Sequence, residues 1–181
     1  MPTDRTTAIV PLPVARHRHD RREPVRAEDA EAFLDGHRIA VIGASDHKGN
    51  LGGAILRELW LHGHDVVPVH PTARLVGGHR CSPTIGAVPD AVDGAIIMVP
   101  APAAVDVVRR CIDAGVPAIW LFKGLGGESA VSDEAIALCR DAGIPVVAGA
   151  CPLMFIRPVG AIHRAHRAAR RAHGTLVSTA G

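Results

Sequence analysis

The eleven residues GASDHKGNLGG at 43–53 set glycines at 43, 49, 52 and 53 around Ala44, Ser45 and Lys48. Glycine lets a main chain approach a ligand closely, and a helix opening at Gly52 and Gly53 would offer unpaired N–H groups to a phosphate. Lys48 would add a positive charge. The spacing is not the GxGxxG of a tight dinucleotide turn, so a longer loop is expected in its place. The plain alternative is a flexible glycine-rich loop that holds nothing.

A second segment, DVVPVHPTAR at 65–74, refines the chemistry. Sheets that bind NAD normally end this strand in an acid that holds the ribose hydroxyls. Here Val69 is followed by His70 and Pro71, then by Thr72 and Arg74, which are neutral or basic. Such a set suits a ribose carrying a phosphate, as in coenzyme A or NADP, although an ordinary polar turn would look the same. Two further loops belong beside these: Val99 and Pro100 before a helix, and FKGLGGES at 122–129, which carries Lys123.

The elements that would position these loops alternate strictly. The runs at 38–43, 65–70, 94–99, 118–122 and 145–148 are short, apolar and β-branched, as strands buried on both faces should be. Helices are expected at 27–36, 52–62, 103–114 and 132–142. Gly63, Gly115 and Gly143 would close the last three, and Gly36 would terminate the first in a left-handed conformation. Strand and helix in alternation imply parallel strands with right-handed crossovers. The expected fold is therefore α/β, a Rossmann-like doubly wound parallel sheet in a single three-layer domain. Residues 77–92 break the rhythm and are expected to form a loop with a short edge strand at 80–82.

At 181 residues, 48% hydrophobic and 21% charged, the chain suits one globular domain with loose ends. Residues 1–26 mix Pro, Arg and His without a period and are expected to be disordered; residues 27–156 form the domain. Residues 157–181 hold a basic helix at 160–173, GAIHRAHRAARRAH, with a thin alanine stripe and five arginines between 157 and 171. That stripe would pack lightly on the body, or meet a second copy in a homodimer or an acidic partner. Nucleic-acid binding is poorly supported, because the helix has no aromatic residue to stack on bases. No apolar run is long enough for a membrane span, no signal core opens the chain, and the four cysteines form no CxxC pair. A cytoplasmic protein with reduced thiols is expected.

Residues for bond-making are hard to find. No Ser/His/Asp or Cys/His order suggests a triad, and His62 and His64 lack companions at metal-ligand spacing. Cys151 heads CPLMF after the last strand: it is either a buried apolar cysteine before a chain-turning proline or a thiol opening on the ligand edge.

The series IAVIGAS, VVPVHP, RCSPTIGAVPDAVDGAIIMVP, AGVPAIWLF and AGIPVVAGACP resembles the free-standing coenzyme A-binding domain proteins over about residues 36–153. That domain is similar to the nucleotide-binding module of succinyl-CoA synthetase α chains and ADP-forming acyl-CoA synthetases. The resemblance implies coenzyme A or a short acyl-CoA as ligand. It lays residues 43–48 along the phosphates, Val69, His70 and Pro71 beside the adenosine, and Val99, Pro100 and the loop after Trp120 along the pantetheine. The chain departs from it at His70, where those proteins usually carry Asn, and at Phe122, where a Gln is usual. Binding without catalysis is the function expected. An NADP-type oxidoreductase or sugar-nucleotide enzyme is the alternative, and a coenzyme A-binding subunit of a multi-chain acyl-CoA synthetase is a third reading.

Overall fold

A computed structural model describes residues 25–124 and 129–156 and the backbone of 176–177. Five strands form one parallel sheet: β2 (Arg38–Ile42), β3 (Asp65–Val69), β6 (Gly94–Ile97), β7 (Ile119–Phe122) and β8 (Val146–Ala150), in the order β3-β2-β6-β7-β8. Between them lie α2 (Gly52–Leu61), α3 (Ala101–Asp113) and α4 (Asp133–Asp141), and α1 (Ala27–Leu34) precedes β2. Alternate residues of each strand serve opposite faces. Ile39, Val41, Ile96 and Trp120 pack with Phe33 of α1 and Ile55, Leu56 and Leu59 of α2. Ala40, Ile42, Ile97 and Leu121 pack with Ala104, Val108 and Cys111 of α3 and Cys139 of α4. Helices thus cover both faces, the three-layer α/β arrangement expected.

Trp120 anchors the first of these cores. Its ring meets Phe33 at 5.4 Å and Phe155 at 5.6 Å, both edge to face, and its indole N–H donates to the Ala150 carbonyl at 2.9 Å. Such pairs contribute beyond the area they bury, and the hydrogen bond satisfies an indole N–H that is fully buried. Gly94 makes room for this cluster, because a Cβ there would stand 2.7 Å from the Phe33 ring.

Several local expectations differ from the structure. Gly36 is not left-handed; α1 ends through Asp35 in a right-handed conformation. The constraint on Gly36 is steric, since a Cβ would lie 2.9 Å from that of Asp93. Residues 77–92 hold the second strand of a hairpin, β5 (His79–Arg80), which pairs with β4 (Leu75–Val76) just before them, then a 3-10 turn at Ile85–Ala87. In place of an edge strand at 80–82, Ser82 alone bridges Val69 in parallel. Structure also begins inside the segment expected to be disordered: β1 (Val25–Arg26) pairs in parallel with β9 (Leu176–Val177), and Val25 is buried. Residues 1–24 and the helix expected at 160–173 lie outside the described residues. Gly63, Gly115 and Gly143 close their helices with positive φ, as expected. No helix among the described residues is long and apolar enough to cross a membrane.

Two measurements probe this frame. Trp120→Phe keeps one aromatic ring but removes the indole donor and leaves a cavity, so it should cost at least about 2 kcal/mol, read as a lower urea midpoint with an unchanged slope. Asp93 accepts N–H bonds from Arg38 at 2.8 Å and His37 at 2.9 Å, and the Arg38 bond leads in holding its carboxyl below the ordinary aspartate value. A depressed folded pKa stabilises above the unfolded value, about 3.9, and that contribution is lost as pH falls through the folded value. The stability gap between wild type and Asp93→Asn should therefore be full at neutral pH and close in acid, in urea melts taken across that range.

Candidate functional site

The first strand of the sheet, β2, lies between β3 and β6, and the helices that follow β2 and β6 pack on opposite faces. In open α/β sheets this switch point, beyond the carboxyl ends of the strands, is where ligands bind. A cleft of about 640 Å³ opens there. Ile42 and Gly43 at the end of β2, and Met98, Val99 and Pro100 after β6, lie along it. Val69, His70 and Pro71 border it from β3, while Ile85 of the 3-10 turn and Val107 of α3 give it an apolar wall. α3 begins beside Pro100 without a side-chain cap, which leaves the positive end of its dipole near the cleft.

The loop at 43–53 is held in shape by one side chain. Asn50 Oδ1 accepts the N–H of Gly52 at 2.7 Å and of Ser45 at 3.2 Å, and Asn50 Nδ2 donates to the Gly43 carbonyl at 3.3 Å. Gly43 has φ +85°, and a Cβ on it would lie 2.8 Å from Val99 Cγ1, so the turn needs glycine on both counts. Gly52 is needed for close approach: its Cβ would stand 2.5 Å from the Ala44 Cα. The Gly52 N–H expected to meet a phosphate is thus already bonded. Asp46 sits beside Gly53 and accepts the Gly77 N–H at 3.0 Å, tying the loop to the β4–β5 hairpin. What faces the cleft is the Gly43 turn, not the helix start.

His70 is equally occupied. Its Nδ1 accepts the N–H of Ala73 at 3.0 Å and of Thr72 at 3.3 Å, so the turn assigns the neutral ring's proton to Nε2. An asparagine could make the same turn with its side-chain oxygen. The His70 N–H donates to Ser82, whose own N–H donates to Pro68, which sets the 83–85 wall against β3.

Of the residues singled out in the sequence, Gly43, Val69, His70, Pro71, Val99 and Pro100 line the cleft, and Ala44, Ser45 and Gly52 build the loop behind it. Lys48 and Arg74 are exposed away from the lining, and Lys123 bridges Ser129 through its backbone. Asn50, Thr84, Ile85, Arg110 and Ser129 line the cleft and escaped the sequence reading. Asn50 had a signal, an amide inside a glycine-rich loop. Arg110 had none, because an arginine on an amphipathic helix looks like any solvated charge.

The thiols stay out of the cleft. Burial pushes Cys111 up to about 12 and Cys139 up to about 11. Burial, then the nearby Asp46 charge, raises Cys81. Cys151 is buried in the first core, in keeping with the apolar of its two readings. No group of three metal-ligating side chains occurs among the described residues.

Comparison with known proteins agrees with this fold. Trans-feruloyl-CoA synthase from an unknown prokaryotic organism is 29% identical over 68% of this chain and 18% of its own length. An ADP-forming acetate–CoA ligase of Archaeoglobus fulgidus is 32% identical over 62% of this chain and 17% of its own. The matched region thus spans less than a fifth of these relatives. Among solved structures, a hypothetical protein from Pyrococcus horikoshii superposes with a TM-score of 0.64 at 25% identity, covering 76% of this chain and 94% of that one. Residues 37–157 match the family described as the CoA binding domain, and the chain belongs to that family.

Proposed function

We propose that the cleft binds coenzyme A or a short acyl-CoA by its adenosine-phosphate end, and that the unit at 27–156 does so without bond-making chemistry of its own. One observation carries this reading: none of the described residues lining the cleft is a carboxylate. A pyrophosphate at the Gly43 turn meets main chain and the open end of α3 with no opposing charge. The acid that would hold an unmodified NAD ribose is replaced by His70. The absence of catalysis rests on how the polar groups are spent. His70 Nδ1 serves its own turn, the Ser129 hydroxyl accepts the Val131 N–H, and neither forms a nucleophile–base pair among the described residues.

A second reading follows from the relatives. Because the matched region is a small part of a larger CoA synthase and of a larger CoA ligase, the chain would act as the coenzyme A-binding part of a multi-chain acyl-CoA synthetase. The basic segment at 160–173 is then the partner contact, and a location in the cytoplasm follows from the ligand. Co-purification of a nucleotide-binding partner chain separates the two.

Calorimetric titration tests the ligand. Coenzyme A should bind and NAD should not, and heat from NADP with none from coenzyme A would overturn the assignment in favour of an oxidoreductase or sugar-nucleotide enzyme. Gly43→Val, strained at φ +85° and crowded by Val99, should weaken coenzyme A by more than about tenfold. A second measurement isolates the His70 turn. His70→Asn should keep affinity within a few-fold of wild type, whereas His70→Ala leaves two N–H donors without their acceptor. That should cost about 1–3 kcal/mol, seen as roughly tenfold weaker binding and a lower melting temperature.

A further inference from the structure

The proposed ligand is strongly anionic, yet none of the cations expected from the sequence to meet it, Lys48, Arg74 and Lys123, lines the cleft. Arg110 does, and it is the one arginine or lysine among the described lining residues. It stands on the third turn of α3, three residues beyond Val107 and therefore on the same helix face, toward Ile85. Nine residues at about 1.5 Å each separate it from the start of α3 at Ala101, and helix side chains lean back toward the N-terminus. Its exposed side chain thus belongs to the α3 wall of the cleft. The neighbouring Arg109 is spent on structure, pairing with Asp106 at 3.2 Å and with Glu134 of α4 at 3.1 Å. Arg110 forms no ion pair and no side-chain hydrogen bond among the described residues.

We infer that Arg110 is the specificity-determining residue of the cleft and pairs with a phosphate on the ligand's ribose. The inference rests on the coenzyme A reading and deepens it. With the pyrophosphate at the Gly43 turn and the adenosine between His70 and Ile85, the ribose phosphate would face the α3 wall that carries Arg110. There a planar guanidinium can donate two parallel N–H bonds to its oxygens. The apolar flank of Val107 and Ile85 strengthens the pair by keeping water from one side. A ligand without that phosphate leaves Arg110 as it stands and gains nothing from it. Arg110 therefore separates coenzyme A from dephospho-coenzyme A, while Gly43 and Asn50 serve both alike.

The test is calorimetric titration of the full chain and of Arg110→Gln and Arg110→Lys with coenzyme A and dephospho-coenzyme A, each variant first shown to melt like wild type. Wild type should prefer coenzyme A by about tenfold or more, the scale of one charge-assisted pair. Arg110→Gln should weaken coenzyme A about tenfold while leaving dephospho-coenzyme A within about twofold, so that the preference disappears. Arg110→Lys should keep part of the preference and lose more of it as salt is raised. Equal weakening of both ligands would overturn the inference, because it would place the guanidinium against the base or the pyrophosphate. Unchanged coenzyme A affinity in Arg110→Gln would overturn it too, with the coenzyme A reading intact. Wild type that takes up neither ligand would bring down that reading and the role of Arg110 together.

Discussion

The centre of this sheet has no room for an unpaired polar group. β2 is flanked by parallel strands on both edges and covered by helices on both faces, and from Ile39 to Val41 its side chains have no exposure. An unpaired polar group there would cost several kcal/mol, of the order of half a small domain's net stability. Among the described residues no polar or charged side chain is buried. Every group able to meet a ligand is therefore driven to the strand ends. At the carboxyl end the loops after β2, β3 and β6 converge on one cleft.

That same constraint decided what could be read from the sequence. Strands buried on both faces must be written as short apolar runs, so all five declare themselves, and the helices between them end at glycines. Contacts between segments far apart in the chain leave no such trace. Gly36 looks like a helix terminator, yet its role is set by Asp93, fifty-seven residues later. β1 pairs with β9 across nearly the whole chain, so the order at Val25 and Arg26 cannot be seen in their neighbours. The edge of the sheet beside β3 is finished by one bridge from Ser82 instead of a strand, too little to leave a pattern.

The candidate site was legible where the backbone makes it and obscure where side chains do. Gly43, Val99 and Pro100 sit at strand ends, so locating the strands located them. Charges behaved differently. Lys48 and Arg74 belong to the right loops but stand outside the lining, because a loop residue may face either way and sequence does not say which. Arg110 belongs to none of the loops at the carboxyl end of the sheet and lines the cleft because α3 packs beside the 3-10 turn at Ile85–Ala87.

Asn50 commits its amide to three backbone groups of its own loop, so the turn at Gly43 is in place before any ligand arrives. Ordering a loop on binding subtracts from affinity and slows capture, whereas a turn already set asks neither. A ligand meeting it would be taken up at a rate governed by encounter, with main-chain movement below about 1 Å. Differences among the ligands tried would then reside in how long each one stays.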